Sequence, residues 1–269
     1  MKFSVLLSVY KKESPLFLED SLSSICSQTL CPNEVVLVRD GPLTSELDEV
    51  IRKYMDLIDL KIISLECNSG LGIALNKGLE YCSYEIVARM DTDDIAMSDR
   101  FEKQIAILKQ YPNVDVVGTW VDEFVGRSID NVVSVRRLPE YSNDIYTFAK
   151  RRNPINHPTV MFKKKAVLAV GGYQDFPLFE DYYLWIRMLV NGYNFYNIPQ
   201  SLLYFRTSSD VYKRRGGWGY AINEYRLRRK MLCLKLISNS EFWKEMPLRF
   251  FIRIIPSFLR RYVYMKILR

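Results

Sequence analysis

Residues 84–94 read YEIVARMDTDD, an apolar stretch that runs directly into three acidic residues within four positions. Residues 84–90 have the composition of a buried strand, so Asp91, Asp93 and Asp94 are expected to project from its end. Carboxylates this close repel one another, and half-burial makes their charge costly. The stretch therefore predicts a divalent cation site; the plainer alternative is a loop of solvated acids that caps the next helix.

Strands and helices alternate on both sides of this stretch. The predicted strands span 3–9, 34–38, 61–65, 84–90 and 114–120, and the predicted helices span 15–28, 44–55, 70–82 and a segment from Ser98 onward. This succession is typical of an α/β, Rossmann-like fold with a mostly parallel sheet flanked by helices. Ligands of such sheets bind beyond the carboxyl ends of the strands. Because the sequence contains neither GxGxxG nor GxxxxGK[ST], a dehydrogenase or P-loop enzyme is disfavoured.

Composition excludes several other classes. The 269 residues are 48% hydrophobic and 26% charged, which is typical of a globular chain. The five cysteines form no CxxC pair and His157 is the single histidine, so a disulfide scaffold, a zinc ribbon and a multi-histidine metal site are all excluded. No apolar run reaches about 18 residues, and the chain begins with a strand pattern, so neither a transmembrane helix nor a signal peptide is expected.

Charge is unevenly distributed along the chain. Residues 211–269 contain 15 Lys/Arg and 3 Asp/Glu, a net charge of +12, whereas the whole chain carries +7 and residues 1–210 therefore carry −5. This basic, amphipathic helical C-terminal region is also rich in aromatic residues, namely Trp218, Phe242, Trp243, Phe250, Phe251, Phe258, Tyr262 and Tyr264. Such a composition favours contact with an anionic membrane surface. Plain packing on the body and nucleic-acid binding are the alternatives, and acids at the sheet edge argue against nucleic acid.

Polar residues also end two other strands, at Ser8, Tyr10 and Asp40. An aromatic ring such as Tyr10 can stack on a base, and a carboxylate such as Asp40 can accept from a ring N–H such as that of uracil. Residues 68–78, NSGLGIALNKG, open a helix with glycines that permit close approach of the backbone to an anion. The alternative for this segment is an ordinary loop and helix with a packing glycine.

A second group of polar residues occurs later in the chain. Glu180 and Asp181 precede a helix, and a general base for a hydroxyl must be a carboxylate or an imidazole. The alternative is that Asp181 only caps its helix. Residues 153–159, NPINHPT, form a rigid loop that carries His157, for which a hydrogen-bonded structural role is the alternative.

Taken together, these segments resemble the family 2 glycosyltransferases, which have the GT-A fold. In chain order they are SVLLSVYKKE, VVLVRDGP, NSGLGIALNKGL, ARMDTDDIAMSDRFEKQ, NPINHPTVMFKK and GGY…FEDYYLWIRM. They extend over residues 1 to about 206; each is weak to moderate alone, and their order makes the resemblance strong. The spacing is similar to that of the bacterial subgroup that builds O-antigen and capsule repeat units on a lipid carrier.

The resemblance implies a donor site for a UDP-sugar. Tyr10 and Asp40 would hold the uracil. Asp91 and Asp93 match the family's DxD motif, which implies a metal contact for Asp93 and a ribose or sugar contact for Asp91. Asp94 would contact the donor sugar or the metal shell, and the implied cofactor is Mn²⁺ or Mg²⁺.

Four further residues are expected at the donor site. Ser8, Asn68 and Lys77 would bind the nucleotide sugar, Lys77 because Leu75 stands where many family members have an arginine. His157 would lie near the diphosphate or the metal, as a metal ligand.

At the acceptor end, the resemblance implies that Asp181 is the general base and that Glu180 binds the acceptor beside it. Trp185 and Arg187 match the family's FEDYxLWxR stretch and are expected to bind the acceptor as well. The implied domains are a GT-A catalytic domain over 1–210, divided into a nucleotide-sugar-binding half (1–120) and an acceptor-binding half (121–210), followed by a membrane-associating tail over 211–269.

The implied reaction is inverting transfer of galactose or glucose from a UDP-sugar to an N-acetylhexosamine-diphosphate-polyprenol, with a β1,3 linkage, in O-antigen or capsule synthesis. The implied location is peripheral, on the cytoplasmic face of the bacterial inner membrane. Two alternatives remain open: a catalytically degenerate module that binds nucleotide or a membrane-associated partner, and a nucleotidyltransferase, which also needs paired acids.

Overall fold

The computed structural model describes residues 1–207 and 216–255, and its centre is one nine-stranded sheet. The strands are β1 Phe3–Val9, β2 Glu34–Arg39, β3 Leu60–Ser64, β4 Ile86–Arg89, β5 Ile95–Ala96, β6 Val116–Val125, β7 Val132–Arg136, β8 Met161–Lys163 and β9 Phe195–Thr207. Their order across the sheet is β3-β2-β1-β4-β8-β6-β9-β5, and β7 pairs with β6.

The first half of the sheet is parallel and confirms the predicted α/β fold. Strand β1 lies between β2 and β4, with Val5 opposite Val35 on one side and Ala88 on the other. Strand β3 extends the parallel set beyond β2. Strands β1, β2 and β4 are almost entirely buried, and their largely apolar sequences identified them, whereas the edge strand β3 is only partly buried.

The second half of the sheet is mixed. Strand β8 pairs antiparallel with both β4 and β6, whereas β9 pairs parallel with β6 and antiparallel with β5. Sequence analysis predicted only part of β6 here, up to residue 120, and the strand continues to Val125 as a hairpin with β7. The carboxyl ends of β1, β2 and β4 therefore meet a second set of loops supplied by β8 and β9.

Helices cover both faces of the sheet. They are α1 Pro15–Cys26, α2 Ser45–Met55, α3 Leu71–Tyr81, α4 Arg100–Gln110, α5 Ser142–Ala149, α6 Lys164–Ala169, α7 Glu180–Val190, α8 Trp218–Cys233 and α9 Asn239–Ile254. One core cluster joins α1, α2 and α4 to one face of β1, and another joins α3, α5, α6 and α7 to the opposite face. The side chains of β1 alternate between these two clusters, as a strand buried on both faces requires.

Helices α8 and α9 form a hairpin that packs on α7. A third core cluster contains Phe179, Tyr182 and Ile186 from the α7 region together with Leu227 of α8 and Phe242 of α9. The basic region is thus attached to the body between residues 216 and 255. The predicted boundary at 210/211 and the residues Phe258, Tyr262 and Tyr264 lie outside the described residues. No helix in the described ranges combines the length and the hydropathy needed to cross a bilayer.

A contact of α3 with the sheet yields a stability prediction. A Cβ added at Gly78 would meet Leu6 and would come within 2.8 Å of Val38 Cγ2, both on buried strands, whereas a Cβ at Gly219 in α8 would meet nothing within 4 Å. Alanine has the better helix propensity by about 1 kcal/mol. Gly219→Ala should therefore be neutral or stabilising in urea unfolding, and Gly78→Ala should lose about 1–3 kcal/mol through overpacking. Equal effects at the two positions would contradict the close approach of α3 to the sheet.

Candidate active site

The three acids that follow β4 form a compact group. One ligand oxygen from each of Asp91, Asp93 and Asp94 can be chosen so that all three lie within 4.8 Å of one another. Asp94 is fully buried, and Asp91 and Asp93 are partly buried. The short strand β5 follows immediately and pairs with β9, so the acidic loop is held between the ends of two strands.

Arg206, near the end of β9, forms hydrogen bonds with this acidic loop. Its backbone N–H donates to Asp94 Oδ1 at 2.9 Å, and its Nε donates to the carbonyl oxygen of Asp93 at 2.8 Å. The guanidinium lies between two rings, 3.9 Å from the centroid of Phe17 and 4.6 Å from that of Phe124. Sequence analysis gave Arg206 no role, because residues 94 and 206 are brought together only by the β5–β9 pairing.

Arg89 is a second cation that sequence analysis missed. It is the last residue of β4, its side chain is 1% exposed, and its guanidinium donates to Asp91 Oδ1. Arg100 in turn donates to the Arg89 carbonyl oxygen at 2.7 Å. Burial raises the pKa of Asp93 and of Asp181, and the nearby Arg89 charge opposes that rise at both. One buried guanidinium therefore acts electrostatically on both ends of the site.

Two carboxyl groups of the acidic loop, those of Asp93 and Asp94, have raised pKa values. Burial, together with the charge of Asp91, raises the pKa of Asp93 to about 6. Burial and the neighbouring Asp93 and Asp91 raise the pKa of Asp94 well above its usual range. The loop is thus short of positive charge even with Arg89 and Arg206 present.

The donor set fits a divalent cation. Asp94 Oδ2 is buried and has no hydrogen-bond partner among the described residues. A positively charged group beside this oxygen would stabilise it. Carboxylate oxygens are the ligands that Mg²⁺ and Mn²⁺ prefer, with phosphate oxygens of a substrate as further ligands. The cation would sit between Asp94, Asp93 and Asp91, at the carboxyl end of β4.

Asp40 and Asn68 are brought together, as expected of two donor-site residues. The Asp40 carboxylate accepts from the backbone N–H of Ser69 at 2.6 Å and of Gly70 at 3.0 Å, and from Asn68 Nδ2 at 3.0 Å. These bonds fix the loop before α3 against the end of β2. Because a carboxylate has about four acceptor positions, one remains for a base N–H.

The other predicted donor-site residues, Ser8, Tyr10 and Lys77, lie in two different elements. Ser8 and Tyr10 lie at the end of β1, and the Tyr10 ring is exposed. Lys77 lies further along α3, where its Nζ contacts Glu80 Oε2 at 2.7 Å and lies over the Tyr81 ring. Lys77 therefore has local partners on α3, and its contact with a phosphate stays a prediction.

Asp181 lies in the first turn of α7 with Glu180 before it. Its Oδ2 accepts from Asn153 Nδ2 at 2.6 Å, so the loop 153–159 holds one oxygen of this carboxylate. Burial raises the pKa of Asp181, and the Asn153 hydrogen bond opposes this rise. Burial also raises the pKa of Glu180. Asn153 is the first residue of the NPINHP segment, but only the structure shows that it contacts Asp181.

Trp185 and Arg187 are placed differently from the expectation, and here the prediction of direct acceptor binding is corrected. Trp185 is completely buried in the second core cluster, and Arg187 is 5% exposed. Arg187 donates to the carbonyl oxygens of Val170 and Gly172, so it fixes the turn at 170–172. Both side chains are almost completely shielded from solvent, so any part they have in acceptor binding would be indirect.

His157 is also corrected, because it lies outside the group of ligand atoms formed by the three acids. Its Nε2 is 2.9 Å from the hydroxyl oxygen of Tyr173, and burial lowers its pKa well below the usual range. Tyr173 is held in turn by two hydrogen bonds between its backbone and the side chain of Asn76. The structural alternative for His157 therefore describes its position better than metal ligation does.

The structure thus has an acidic group at the end of β4 and a partly buried carboxylate, that of Asp181, at the start of α7. The chain is a member of Glycosyl transferase family 2, whose sequence profile matches residues 4–168. It is therefore a glycosyltransferase, as the resemblance predicted.

Two bacterial proteins are similar to the chain over nearly its full length. It is 41% identical over 268 residues to UDP-Gal:alpha-D-GlcNAc-diphosphoundecaprenol beta-1,3-galactosyltransferase from Escherichia coli, covering 100% of this chain and 97% of that one. It is also 41% identical over 264 residues to the amylovoran biosynthesis glycosyltransferase AmsE from Erwinia amylovora, covering 98% of each chain.

Solved structures support the fold. The structure of TarS 1-349 from S. aureus in complex with UDP-GlcNAc aligns with a TM-score of 0.70 at 21% identity, covering 99% of this chain and 76% of that chain. A mannosyltransferase from Pyrobaculum calidifontis, in complex with GDP-Man and Mn²⁺, aligns with a TM-score of 0.61 at 18% identity, covering 93% of this chain and 69% of that chain. The predicted GT-A fold is confirmed by this likeness.

The raised pKa of Asp93 predicts a gain in stability when its charge is removed. A folded-state pKa of about 6 lies above the ordinary value of 3.8, so the ionised carboxylate destabilises the metal-free fold fully above pH 6 and not at all below about pH 4. Asp93→Asn should raise the free energy of unfolding in EDTA at pH 7.5 by about 1–3 kcal/mol, and by about half as much at pH 5.

Urea unfolding at the two pH values measures this difference. Asp130→Asn, in the exposed loop between β6 and β7, is the control and should change stability by less than about 0.5 kcal/mol. A destabilised Asp93→Asn protein at pH 7.5, or a gain that does not depend on pH, would show that the acidic loop is an ordinary structural network.

Proposed function

We propose that this glycosyltransferase moves a hexose, galactose in preference to glucose, from its UDP-sugar to an N-acetylhexosamine-diphosphate-polyprenol, forming a β1,3 linkage with inversion. The observation that carries the proposal is the 41% identity over essentially the full length of both chains to the Escherichia coli enzyme named for that reaction. The similarity to AmsE supports a place in the synthesis of polysaccharide repeat units of the O-antigen or capsule type.

In the proposed donor site, Asp93 holds the cation, with Asp94 and Asp91 beside it, and Mn²⁺ is the first candidate. When bound, the cation neutralises negative charge on the leaving diphosphate. The chain's own residues arrange the rest: Asp40 fixes the loop before α3 and keeps an acceptor position for the base, and Tyr10 offers its ring for stacking.

In the proposed acceptor site, Asp181 takes the proton from the acceptor hydroxyl as that oxygen attacks the anomeric carbon. Asn153 donates to Oδ2 of Asp181 and so fixes the orientation of the proposed base. Attack from the side opposite the leaving UDP inverts the configuration, so an α-linked donor gives a β-linked product. The raised pKa of Asp181 makes it a better proton acceptor than an exposed aspartate.

The polyprenol of the acceptor lies in a membrane, so we place the enzyme peripherally at the cytoplasmic face of the bacterial inner membrane, with an anionic membrane surface as a partner. Nucleic acid is not proposed as a partner, because the carboxyl edge of the sheet carries the acidic group and not a basic one.

The first test removes the proposed base. Asp181→Asn should lower kcat at least 100-fold on a synthetic N-acetylhexosamine-diphosphate-lipid with UDP-galactose and Mn²⁺, and should leave the Kd for UDP within about twofold, because the donor is held elsewhere. Asp175→Asn, in the exposed loop before α7, is the matched control and should keep full activity. NMR of the product reads the linkage. A near-normal rate for Asp181→Asn, or an α-linked product, would contradict the mechanism.

The second test separates positioning from structure. Asn153→Ala removes the hydrogen bond to Asp181 and should lower kcat about 10- to 100-fold, with the KM for UDP-sugar little changed. Asn153→Asp places a like charge beside the base, which disfavours ionised Asp181, so the acidic limb of the kcat–pH profile should move to higher pH. Unchanged profiles in both variants would show that Asn153 does not act on the base.

A further inference from the structure

Helices α8 and α9 present a continuous apolar surface, the aromatic face, which the transfer reaction does not use. It consists of Trp218, Ile222 and Tyr225 on α8 and of Trp243, Pro247, Phe250, Phe251 and Ile254 on α9. On each helix these residues recur every three or four positions, so they lie on one side. Trp243 is 67% exposed, Trp218 65% and Phe251 60%.

The two stripes adjoin and enclose a groove. The rings of Trp218 and Phe250 are 5.8 Å apart, which joins the start of α8 to the end of α9. Between the stripes lies a groove of about 470 Å³ lined by apolar side chains, among them Tyr225, Trp243 and Phe251. Soluble domains rarely expose this many adjacent apolar side chains, and a surface of this kind marks an interaction site.

The charges around this face have one sign. Residues 216–255 contain three acids, and all are paired: Glu224 with Arg253 at 2.6 Å, Glu245 with Arg228 at 3.2 Å, and Glu241 in the cap of α9. The exposed charged residues of the hairpin are cations, namely Arg226, Arg229, Lys230, Lys235 and Lys244. An apolar surface on a hairpin whose exposed charges are predominantly positive complements an anionic interface and disfavours pairing with a second copy of itself.

The aromatic face is also joined to the acceptor end of the site. The ring of Phe179, which directly precedes Glu180 and Asp181, lies 5.1 Å from that of Tyr220 in α8. The guanidinium of Arg253 in α9 lies 4.5 Å from the Tyr220 centroid. The hairpin therefore packs directly against the residue that precedes the start of α7, where the proposed base lies.

We propose that the aromatic face docks onto the headgroup layer of an anionic bilayer, with Trp243 and Phe251 inserted and the exposed arginines and lysines on lipid phosphates. The bilayer is the membrane that carries the acceptor lipid, and in that respect alone the inference rests on the proposed function. Docking by this face holds the catalytic body, through the packing of α8 on Phe179, at the surface in which the acceptor lipid lies. Binding to vesicles without acceptor tests the docking independently of transfer.

The test is flotation of the full chain with vesicles of phosphatidylcholine containing 30% phosphatidylglycerol, and with pure phosphatidylcholine. The unmodified protein should bind the anionic vesicles at least tenfold better. Trp243→Ser combined with Phe251→Ser should lose at least tenfold of that binding. Leu57→Ser, which changes a 62% exposed residue after α2, should keep it. Arg229→Gln combined with Lys244→Gln should weaken binding severalfold and flatten its salt dependence.

Two further measurements, transfer activity and oligomeric state, distinguish the possible outcomes. The Trp243/Phe251 variant should retain transfer to an acceptor with a short, water-soluble lipid; loss of that activity would show that the substitutions disturb the catalytic body, and would overturn the inference. Equal binding to neutral and anionic vesicles, full binding by the Trp243/Phe251 variant, or a dimer that this variant dissociates in light scattering would overturn it as well. Normal docking without any transfer activity would instead reject the proposed function and leave the docking intact.

Discussion

Three carboxylates lie close together at the end of a buried strand. Their mutual repulsion and burial are energetically unfavourable, and the surrounding residues offset part of this cost. Their oxygens lie within 4.8 Å of one another, and Asp94 is completely buried. Arg89 and Arg206 supply positive charge and hydrogen bonds from two sides. One oxygen of Asp94 still has no hydrogen-bond partner among the described residues. A divalent cation bound there would supply the missing positive charge, which is why we propose a binding site at this group.

The mixed half of the sheet connects this acidic group to the acceptor end. Strand β8 pairs with β4, and the Arg89 backbone N–H donates to the Val160 carbonyl oxygen at 2.8 Å, so the segment before β8 passes beside the acidic loop. That segment contains Asn153, which holds Asp181. The hairpin of α8 and α9 then packs on the helix that begins with Glu180. Donor end, base and aromatic face are thus linked through consecutive packed elements.

The parallel half of the fold could be predicted from sequence and the mixed half could not. Strand β1 was predicted to the residue and β2 to β4 within about two residues, because β1, β2 and β4 are buried and largely apolar and β3 is a short aliphatic run between helices. Strands β5 and β8 have two and three residues, too few for any periodicity. Pairings between distant residues, such as Arg206 with Asp94, leave no local pattern.

The same lack of a local sequence pattern explains which site residues could be predicted and which could not. Asp91, Asp93 and Asp94 could be grouped because they are adjacent in sequence, and the structure places them together. Trp185, Arg187 and His157 stand in family motifs, but a motif does not show which side of a helix or loop is buried, and all three are buried. Arg89 was hidden within an apolar strand sequence, where a buried cation is the exception.

The most direct measurement is anomalous diffraction at the manganese edge from crystals soaked with Mn²⁺ and UDP. The account predicts one strong peak within about 2–2.5 Å of carboxylate oxygens of the Asp93 group, bridged to the UDP diphosphate with uracil near Asp40. An ordered UDP elsewhere, or no peak at the end of β4 with UDP bound, would contradict it.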